Sequence, residues 1–317
     1  MIIVTGGAGF IGSNLVRRLN QAGREDLIVV DDLSDGSKFR NIADCIIEDY
    51  LDKDEFRQML ENGNNSLGKP DVVFHQGACS DTTASNGRFM LDNNYRYSKQ
   101  LLHYCLQDKT PFIYASSAAV YGVGDKFIEQ TACEKPINVY AYSKLLFDNY
   151  VRRIFKRVDS QIVGLRYFNV YGPGEAHKGE MASVACHMNR QLLATGRVKL
   201  FDANDGYAAG EQQRDFIHVD DVVMINLWFM QASQHSGIFN VGTGTAHSFN
   251  DVAKAVVNWH GQGEVDYIPF PEKLRRSYQS FTRADLGQLH KVGCNHKCRT
   301  LEAGMKDYLD WLNTEAH

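Results

Sequence analysis

The first twelve residues of the chain join an apolar strand to a helix through a glycine-rich turn. Residues 2–5 are all β-branched, and Gly6, Gly9 and Gly12 follow with the spacing G-x-x-G-x-x-G. Glycine is needed there because the backbone must turn tightly and approach a pyrophosphate whose charge lies at the helix N-terminus. Asp31 ends the next apolar run, about 20 residues further on, where a carboxylate accepts a hydrogen bond from the adenosine ribose. The pattern predicts a dinucleotide-binding unit.

The first half of the chain alternates short apolar runs with segments of helical periodicity. Near-continuous apolar runs are typical of strands covered on both faces, and hence of a parallel sheet. The predicted fold class is therefore α/β, a doubly wound parallel sheet of the Rossmann type with a smaller C-terminal α/β substrate-binding lobe. We assign residues 1–169 to the dinucleotide-binding domain, with some later segments returning to it, and residues 170–317 mainly to the lobe. The predicted strands are 2–5, 27–31, 72–75, 112–116 and 162–168, and the predicted helices are 11–22, 54–61, 95–107, 142–155 and 181–194.

Composition limits the classes of partner. The 317 residues carry a formal net charge of -4 without a block rich in lysine or arginine, so we expect no nucleic-acid binding. No apolar run is long enough to cross a membrane and no basic, apolar leader opens the chain, which predicts a cytoplasmic protein without membrane association. The seven cysteines are scattered and odd in number, which disfavours a disulfide framework. Cys294, His296 and Cys298 lack a second pair of zinc ligands, so we expect no metal site.

A second motif supplies groups for proton transfer. Tyr140 and Lys144 are one helical turn apart, so on a helix they share a face and the ammonium can lie beside the phenol. A free phenol has a pKa of about 10, and a neighbouring cation lowers it, which lets the phenolate accept a hydroxyl proton as hydride leaves the carbon. Ser117, at the end of a predicted strand, would hydrogen-bond the developing alkoxide or carbonyl. With the glycine turn, these residues predict an enzyme that moves hydride and proton together.

The residues near the second strand leave the choice between NAD and NADP open. Asp31 favours NAD, because a carboxylate there accepts from the ribose 2′-hydroxyl and repels a 2′-phosphate. Lys38 and Lys53 favour NADP, because either ammonium could neutralise that phosphate. Both lysines are equally consistent with solvated surface positions.

These motifs, in this order, resemble those of the extended short-chain dehydrogenases/reductases, a family that modifies nucleotide sugars. The matching segments span nearly the whole chain, at residues 5–12, 116–122, 166–173 and 214–221. Within the family the chain is most similar to the ADP-heptose 6-epimerases, on residues 75–80, 90–95, 177–184 and 278–282. The resemblance implies interconversion of ADP-D-glycero- and ADP-L-glycero-D-manno-heptose at C6″, which supplies the lipopolysaccharide inner core. It also implies a ring-like, pentameric homo-oligomer.

The resemblance further implies roles for single residues. Lys178 would be a second catalytic residue, because a transient ketone that accepts hydride on its other face needs a second acid or base. The nicotinamide cofactor, usually NADP in this family, would contact the glycine turn (Gly6, Gly9, Gly12) and Phe10, Ile11, Asp31, Asp32, Lys38, Lys53, Gln76, Gly77, Ala78, Cys79, Ser80, Asn93, Lys144, Val170 and Lys178. ADP-heptose would contact Asn169, Glu180, His187, Phe201, Asp202, Ala203, Asn204, Arg214 and Tyr278. Arg214 suits this role because a guanidinium forks onto diphosphate oxygens.

Some positions depart from the family pattern, and other functions share part of the motif set. Glu180 stands where a small hydroxyl residue is usual, Asp32 stands where Asn is common, and the loop 205–213 is longer. A UDP-hexose 4-epimerase would share the cofactor turn and the Ser/Tyr/Lys set. A 4,6-dehydratase needs an Asp-Glu pair where this chain has Ala118 and Ala119. A non-catalytic dinucleotide sensor could dispense with the tyrosine that this chain keeps.

Overall fold

A computed structural model of the protein describes residues 1–63, 66–272 and 278–314. The strands are β1 (Ile2–Thr5), β2 (Leu27–Asp31), β3 (Asp49–Asp52), β4 (Val72–His75), β5 (Phe112–Ser117), β6 (Ile162–Tyr167), β7 (Asn169–Tyr171), β8 (Arg197–Phe201), β9 (Gln213–Arg214), β10 (Phe216–His218), β11 (Gly237–Val241), β12 (His247–Ser248) and β13 (Glu264–Ile268). The α-helices are α1 (Phe10–Gln21), α2 (Lys53–Glu61), α3 (Gly87–Leu91), α4 (Tyr97–Gln107), α5 (Val139–Ile154), α6 (Val184–Thr195), α7 (Val219–Gln231), α8 (Phe249–His260), α9 (Gly287–Lys291) and α10 (Leu301–Thr314).

A parallel sheet forms the centre of the fold. Over the described residues its order is β3-β2-β1-β4-β5-β6-β11, and every neighbouring pair in it runs parallel. The predicted doubly wound parallel sheet is confirmed. Because β1 lies between β2 and β4, the order reverses at β1, and ligands of such sheets bind in the crevice at the carboxyl ends of the strands there.

Helices cover both faces of this sheet, which explains the apolar runs of its strands. Alternate residues of a strand point to opposite faces, so Ile2 and Val4 pack with α1 and α7 on one side, while Ile3 packs with α2, α4 and α5 on the other. Each of these strand residues is fully buried. The sequence therefore shows continuous apolar strands rather than alternating ones.

A second apolar cluster organises most of the C-terminal part. The helices α6, α8 and α10 pack around Val198 and Leu200 of β8, and β8 pairs in parallel with β13. In contrast, α7 and β11 from the same part of the chain belong to the central sheet and its cover. The boundary at residue 169 remains a prediction. Although α7 and β11 follow that residue in the sequence, they pack with the central sheet.

Several observed elements differ from the prediction. β3 and β11 were not predicted, because β3 is a half-exposed edge strand with polar ends and β11 joins the sheet only through its distant partner β6. α5 begins at Val139 rather than 142, where the Asn138 carboxamide oxygen accepts from the Ala141 amide at 2.8 Å. α6 begins at Val184 rather than 181, because residues 176–181 form a 3₁₀ turn that is kinked at Gly179, with a φ of 54°, and Ser183 caps the helix. Among the described residues, no helix is both long and apolar enough to span a membrane.

Candidate active site

The glycine turn holds β1, α1 and the end of β4 so close together that side chains are excluded. A Cβ atom on Gly12 would lie 2.0 Å from the Gly6 carbonyl oxygen, and one on Gly6 would lie 2.5 Å from the Gly77 nitrogen. The Gly6 φ of 69° is itself in the left-handed region. No side chain caps the N-terminus of α1, so its first amides are available to an anion. The turn therefore fits the pyrophosphate of a dinucleotide.

Two neighbouring hollows form one groove along the carboxyl ends of the strands. The larger, which we call the central cleft, has a volume of about 630 Å³, and the smaller, the side pocket, has about 240 Å³. They share Gly6, Asp31, Lys38, Gly77, Ala78 and Cys79. Of the predicted cofactor residues, only Gly12 lines neither hollow, because it packs beneath the turn. The side pocket adds Asp32, Lys53 and Asn93, and the central cleft adds Gly9, Phe10, Ile11, Gln76, Ser80, Lys144, Val170 and Lys178.

Asp31 is buried at the junction of the two hollows and its carboxylate is already well supplied with donors. One oxygen accepts from the Ala8 amide at 2.8 Å, and the other accepts from the Asp32 amide at 2.7 Å and from the Lys38 ammonium. The Lys53 ammonium has no carboxylate as close: it donates to the Asn93 side chain at 3.3 Å and lies 3.8 Å from Asp32 and 3.7 Å from the exposed Asp54. Lys38 and Lys53 therefore place positive charge in the side pocket, close to the negative charge of Asp31.

Ser117, Tyr140 and Lys144 meet in the central cleft. Ser117 ends β5, and its hydroxyl, which accepts from the Ala119 amide at 3.1 Å, lies near the Tyr140 phenol. Lys144, one turn further along α5, donates to the Ala115 carbonyl oxygen at 2.8 Å, and burial lowers its pKa to about 8. The three side chains that the sequence motif predicted as a set therefore share one wall.

The pKa of the phenol differs from the sequence-based expectation. We expected the Lys144 cation to lower it, whereas burial raises the pKa of Tyr140, and the nearby Ser117 hydroxyl only partly opposes that rise. Removing water from around a phenolate destabilises the charged form. The Lys144 ammonium donates to the Ala115 backbone carbonyl. Proton acceptance by Tyr140 thus depends on Ser117 and on what fills the cleft.

A buried charge cluster that the sequence analysis did not assign lies behind these residues. Asp148, one turn after Lys144 on α5, accepts from the hydroxyls of Tyr114 and Ser116, both at 2.9 Å, and from the guanidinium of Arg166 at 2.8 Å. Asp148 and Arg166 are fully buried. The cluster ties α5 to β5 and β6 and so fixes the helix that carries Tyr140. The i,i+4 spacing of Lys144 and Asp148 was its only local sequence signal.

Lys178 reaches the same cleft from a different segment. It lies in the 3₁₀ turn Ala176–Met181, and its ammonium is 5.1 Å from the centre of the Phe10 ring at the start of α1. Burial lowers the pKa of Lys178, and the nearby Glu175 carboxylate partly opposes that shift. Asn41, another unassigned residue, donates to Ala8 in the glycine turn at 3.0 Å and to Gly174 at 3.1 Å. The segment that carries Lys178 is therefore joined to the glycine turn through Asn41 and contacts the start of α1 through Phe10.

Among the predicted substrate residues, Arg214 is the most distinctive. It is 6% exposed, its guanidinium lies 4.9 Å from the Tyr278 ring centre and 5.5 Å from that of Phe249, and burial lowers its pKa. Within the described part of the chain, no carboxylate lies within the 4.0 Å of an ion pair with it. A buried guanidinium without an acidic partner is suited to an anionic ligand.

The remaining predicted substrate residues are only partly gathered. The Phe201 and Tyr278 rings are 6.4 Å apart, which groups them with Arg214. The His187 imidazole contacts the Glu180 carbonyl oxygen at 3.2 Å, while the Glu180 side chain is exposed. Asn169 accepts from the Thr282 hydroxyl at 3.4 Å, and Asp202, Ala203 and Asn204 lie in the turn after β8. None of these residues is among those that line the central cleft.

The cysteine and histidine pattern near residue 296 forms no convincing metal site. His296 and Cys298 lie near Asp221, within the range of a shared ion, but the Arg299 guanidinium occupies the same Asp221 oxygen at 3.0 Å. Cys294 is buried and outside that group. Because the Arg299 guanidinium already holds the Asp221 carboxylate, a metal cation is disfavoured at this place.

Comparison with known proteins identifies the class to which this fold and site belong. A family model described as the NAD dependent epimerase/dehydratase family matches residues 2–242. The chain therefore belongs to this family, and the resemblance noted in the sequence is confirmed.

Individual relatives narrow the similarity. The chain is 56% identical to an ADP-L-glycero-D-manno-heptose-6-epimerase of Alkalilimnicola ehrlichii over 98% of this chain and 97% of that protein. It is similar to the crystal structure of the Helicobacter pylori enzyme of the same name, with a TM-score of 0.86 and 33% identity, covering 99% of this chain and 96% of that one. It also resembles a UDP-glucose 4-epimerase of Thermus thermophilus in complex with NAD, with a TM-score of 0.81 and 27% identity over 99% of both chains.

Proposed function

We propose that this protein inverts C6″ of ADP-D-glycero-D-manno-heptose to give ADP-L-glycero-D-manno-heptose, a precursor of the lipopolysaccharide inner core. The observation that carries the proposal is that one cleft is lined both by Ser117 with Tyr140 and, from a separate segment, by Lys178. An epimerisation through a ketone needs a proton partner in each of two sugar orientations. The identity with the Alkalilimnicola enzyme, at 56% over nearly the full length, supports the choice of substrate.

The proposed reaction divides its proton transfers between these two groups. Bound in the groove, the nicotinamide cofactor supplies the hydride acceptor and donor. Tyr140 takes the C6″ hydroxyl proton while the C6″ hydrogen leaves with its electron pair, and Ser117 donates a hydrogen bond to the resulting carbonyl oxygen. After the sugar has turned, the hydrogen returns to the other face of C6″ and Lys178 donates the proton that restores the hydroxyl. Lys144, held on Ala115, keeps positive charge beside Tyr140.

Arg214 is the residue proposed to hold the diphosphate of the substrate. Its guanidinium is buried between two aromatic rings, and a planar fork of donors matches phosphate oxygens. Tyr278 and Phe201 would flank the adenosine side, and Asn169, Glu180, His187, Asp202, Ala203 and Asn204 complete the proposed substrate set. The exposed position of Glu180 makes it the least supported member.

NADP is the proposed cofactor. Asp31 is the main argument for NAD, but its carboxylate already accepts from two amides and from Lys38, so its lone pairs and its charge are largely taken up. Lys53 faces the side pocket, where its ammonium donates to the neutral Asn93 side chain at 3.3 Å and lies more than 3.5 Å from the carboxylates of Asp32 and Asp54. This arrangement supports a 2′-phosphate beside Lys53 rather than a bare ribose held by Asp31.

Replacing Lys53 with methionine is expected to weaken NADP binding about 10–100-fold, because a charge-assisted hydrogen bond contributes about 1.5–3 kcal/mol. NAD binding should change little, since NAD lacks the 2′-phosphate. Titration of cofactor-stripped protein with each nucleotide measures both affinities. Lys69→Met, at an exposed lysine outside the groove, is the matched control. Equal losses of NAD and NADP affinity in Lys53→Met would rule out a role in choosing between them.

The competing functions differ in substrate. A UDP-hexose 4-epimerase would use the same Ser117, Tyr140 and Lys144, so the proposal is tested by supplying ADP-D-glycero-D-manno-heptose and UDP-glucose separately to the purified protein. Inversion of the heptose with little turnover of UDP-glucose is the expected result, and the opposite preference would refute the assignment. Turnover of neither sugar, with cofactor still tightly bound, would favour a dinucleotide sensor. Elimination of water lacks a proton donor, since Ala118 and Ala119 replace the acidic pair of the dehydratases.

The resemblance also supports a homo-oligomer, proposed to be pentameric, that works in the cytoplasm. Sedimentation equilibrium of the purified protein gives the number of subunits directly.

A further inference from the structure

The segment that carries Lys178 has an unusual backbone. Between β7 and α6 the chain passes through three glycines in the left-handed half of conformational space, Gly172, Gly174 and Gly179, with φ values of 141°, 89° and 54°. It forms only the short 3₁₀ turn Ala176–Met181 between them. A segment with so little regular structure has few hydrogen bonds of its own, so its shape depends on contacts from outside the turn.

Glu175, directly before the 3₁₀ turn, supplies such contacts. Its carboxylate accepts from the Gly172 amide at 3.4 Å, from the Ser183 amide at 2.5 Å and from the Ser183 hydroxyl at 2.6 Å. Gly172 precedes the turn, and Ser183 caps the N-terminus of α6 behind it. One side chain therefore joins the two ends of the segment that holds Lys178.

The burial of this carboxylate is costly unless its charge is used. Glu175 is 0% exposed, and across the described residues no lysine, arginine or histidine lies within 4.0 Å of it as an ion-pair partner. Three donors converge on its two oxygens, and a glutamine, with one acceptor oxygen and an NH2 group, could not accept from both backbone amides. Features that break a rule of stability at one point are expected where function requires them.

The groups around Lys178 make Glu175 its main negative neighbour. The carboxylate raises the pKa of the Lys178 ammonium against the effect of burial, and Cys186 is a weaker contributor. His177, the next titratable group along the turn, contacts Asn41 at 3.2 Å on the opposite side. The Tyr308 hydroxyl lies near Glu175 and Cys186, and Arg190 is a further positive charge near Cys186. The Phe10 ring lies 5.1 Å from the ammonium.

We propose that Glu175 is a positioning residue for Lys178: it joins Gly172 to Ser183 and so closes the segment 172–183, which brings the ammonium into the central cleft on the same segment as a buried negative charge. This inference rests on the proposed role of Lys178 as proton donor. It assigns Glu175 to the shape of this segment, because both of its oxygens accept hydrogen bonds from the two ends.

The carboxylate is tested with Glu175→Gln, which keeps the size of the side chain but removes the charge and one of the two acceptor oxygens. The labelling of Lys178 by an amine-reactive reagent, followed by mass spectrometry across pH in the intact protein, reports the protonation of this one side chain without any turnover. The midpoint should move to lower pH in Glu175→Gln, because loss of the carboxylate lowers the Lys178 pKa. In steady-state assays kcat should fall at least tenfold with KM little changed, and the pH limb that belongs to Lys178 should shift in the same direction.

Two further variants separate positioning from charge and from folding. Glu175→Asp keeps the charge but is too short to join Gly172 to Ser183, so its labelling midpoint should stay at the wild-type value while kcat falls about tenfold. If Glu175→Gln does not fold, this variant still tests the closing of the segment. Glu129→Gln, at a carboxylate that accepts from the Asn240 amide at 2.7 Å, is the control and should match the wild type.

A wild-type midpoint in Glu175→Gln together with wild-type kcat in both variants overturns the proposal. Failure of the function itself has a different signature. In that case the wild type does not invert the heptose or Lys178→Met remains active, while the labelling result for Glu175→Gln still stands.

Discussion

Tyr140→Phe is expected to lose turnover by about 10²–10⁴-fold, the range that general acid-base groups contribute. The substitution removes the phenolic oxygen that lies beside Ser117 in the central cleft and little else. Without that oxygen, no group on α5 can accept the C6″ hydroxyl proton, because Lys144 is directed to the Ala115 carbonyl. Steady-state assay with the ADP-heptose substrate measures the loss, which should be in kcat.

The cofactor should stay bound in Tyr140→Phe, which separates catalysis from binding. Mass spectrometry of the nucleotide released on denaturation measures its occupancy. Tyr142→Phe is the matched control, since this neighbouring tyrosine of α5 is 47% exposed and lines neither hollow. Turnover near the wild-type rate in Tyr140→Phe would remove this residue from the mechanism.

Lys178→Met is expected to reduce epimerisation to a similar extent, again by about 10²–10⁴-fold. Methionine keeps an apolar stem against the Phe10 ring but has no proton to give, so the ketone cannot be reduced in its second orientation. The two losses should be comparable because each direction of hydride transfer needs its own proton partner. Measurement of kcat in both directions of the interconversion tests this expectation.

A matched variant guards against a general effect of losing a lysine. Lys254 lies exposed on α8, and Lys254→Met should behave as the wild type. If Lys178→Met also keeps near-normal rates, Lys178 is a binding residue, and the second proton must come from another group of the cleft.

The sequence predicted the central sheet well where burial decides the pattern. β1, β2 and β4 match the predicted strands residue for residue, because their side chains are buried on both faces and leave an unbroken apolar run. β3 was not predicted, because an edge strand with Asp at both ends has no unbroken apolar run. β11 depends on pairing with β6, more than seventy residues away, and pairing of that kind leaves no local pattern.

The candidate site divides in the same way. Ser117, Tyr140 and Lys144 lie on adjoining elements with fixed spacing, so a motif suffices to group them. Asp148 with Arg166, Asn41 and Glu175 were missed because their partners are distant in the chain or belong to an irregular segment. The sequence could not predict that the pKa of Tyr140 is raised. The shift comes from loss of solvent around the phenol, which depends on the residues that surround it in the folded cleft.

The most direct test of the central claim follows the C6″ hydrogen itself. Purified protein is given ADP-D-glycero-D-manno-heptose deuterated at C6″, in ordinary water and without added nucleotide, and the sugar is analysed by NMR. The account predicts a mixture of the two C6″ epimers in which the product still carries deuterium at C6″, because the same hydrogen leaves and returns within the cleft. Inversion with loss of deuterium to water, or no inversion at C6″ at all, would contradict it.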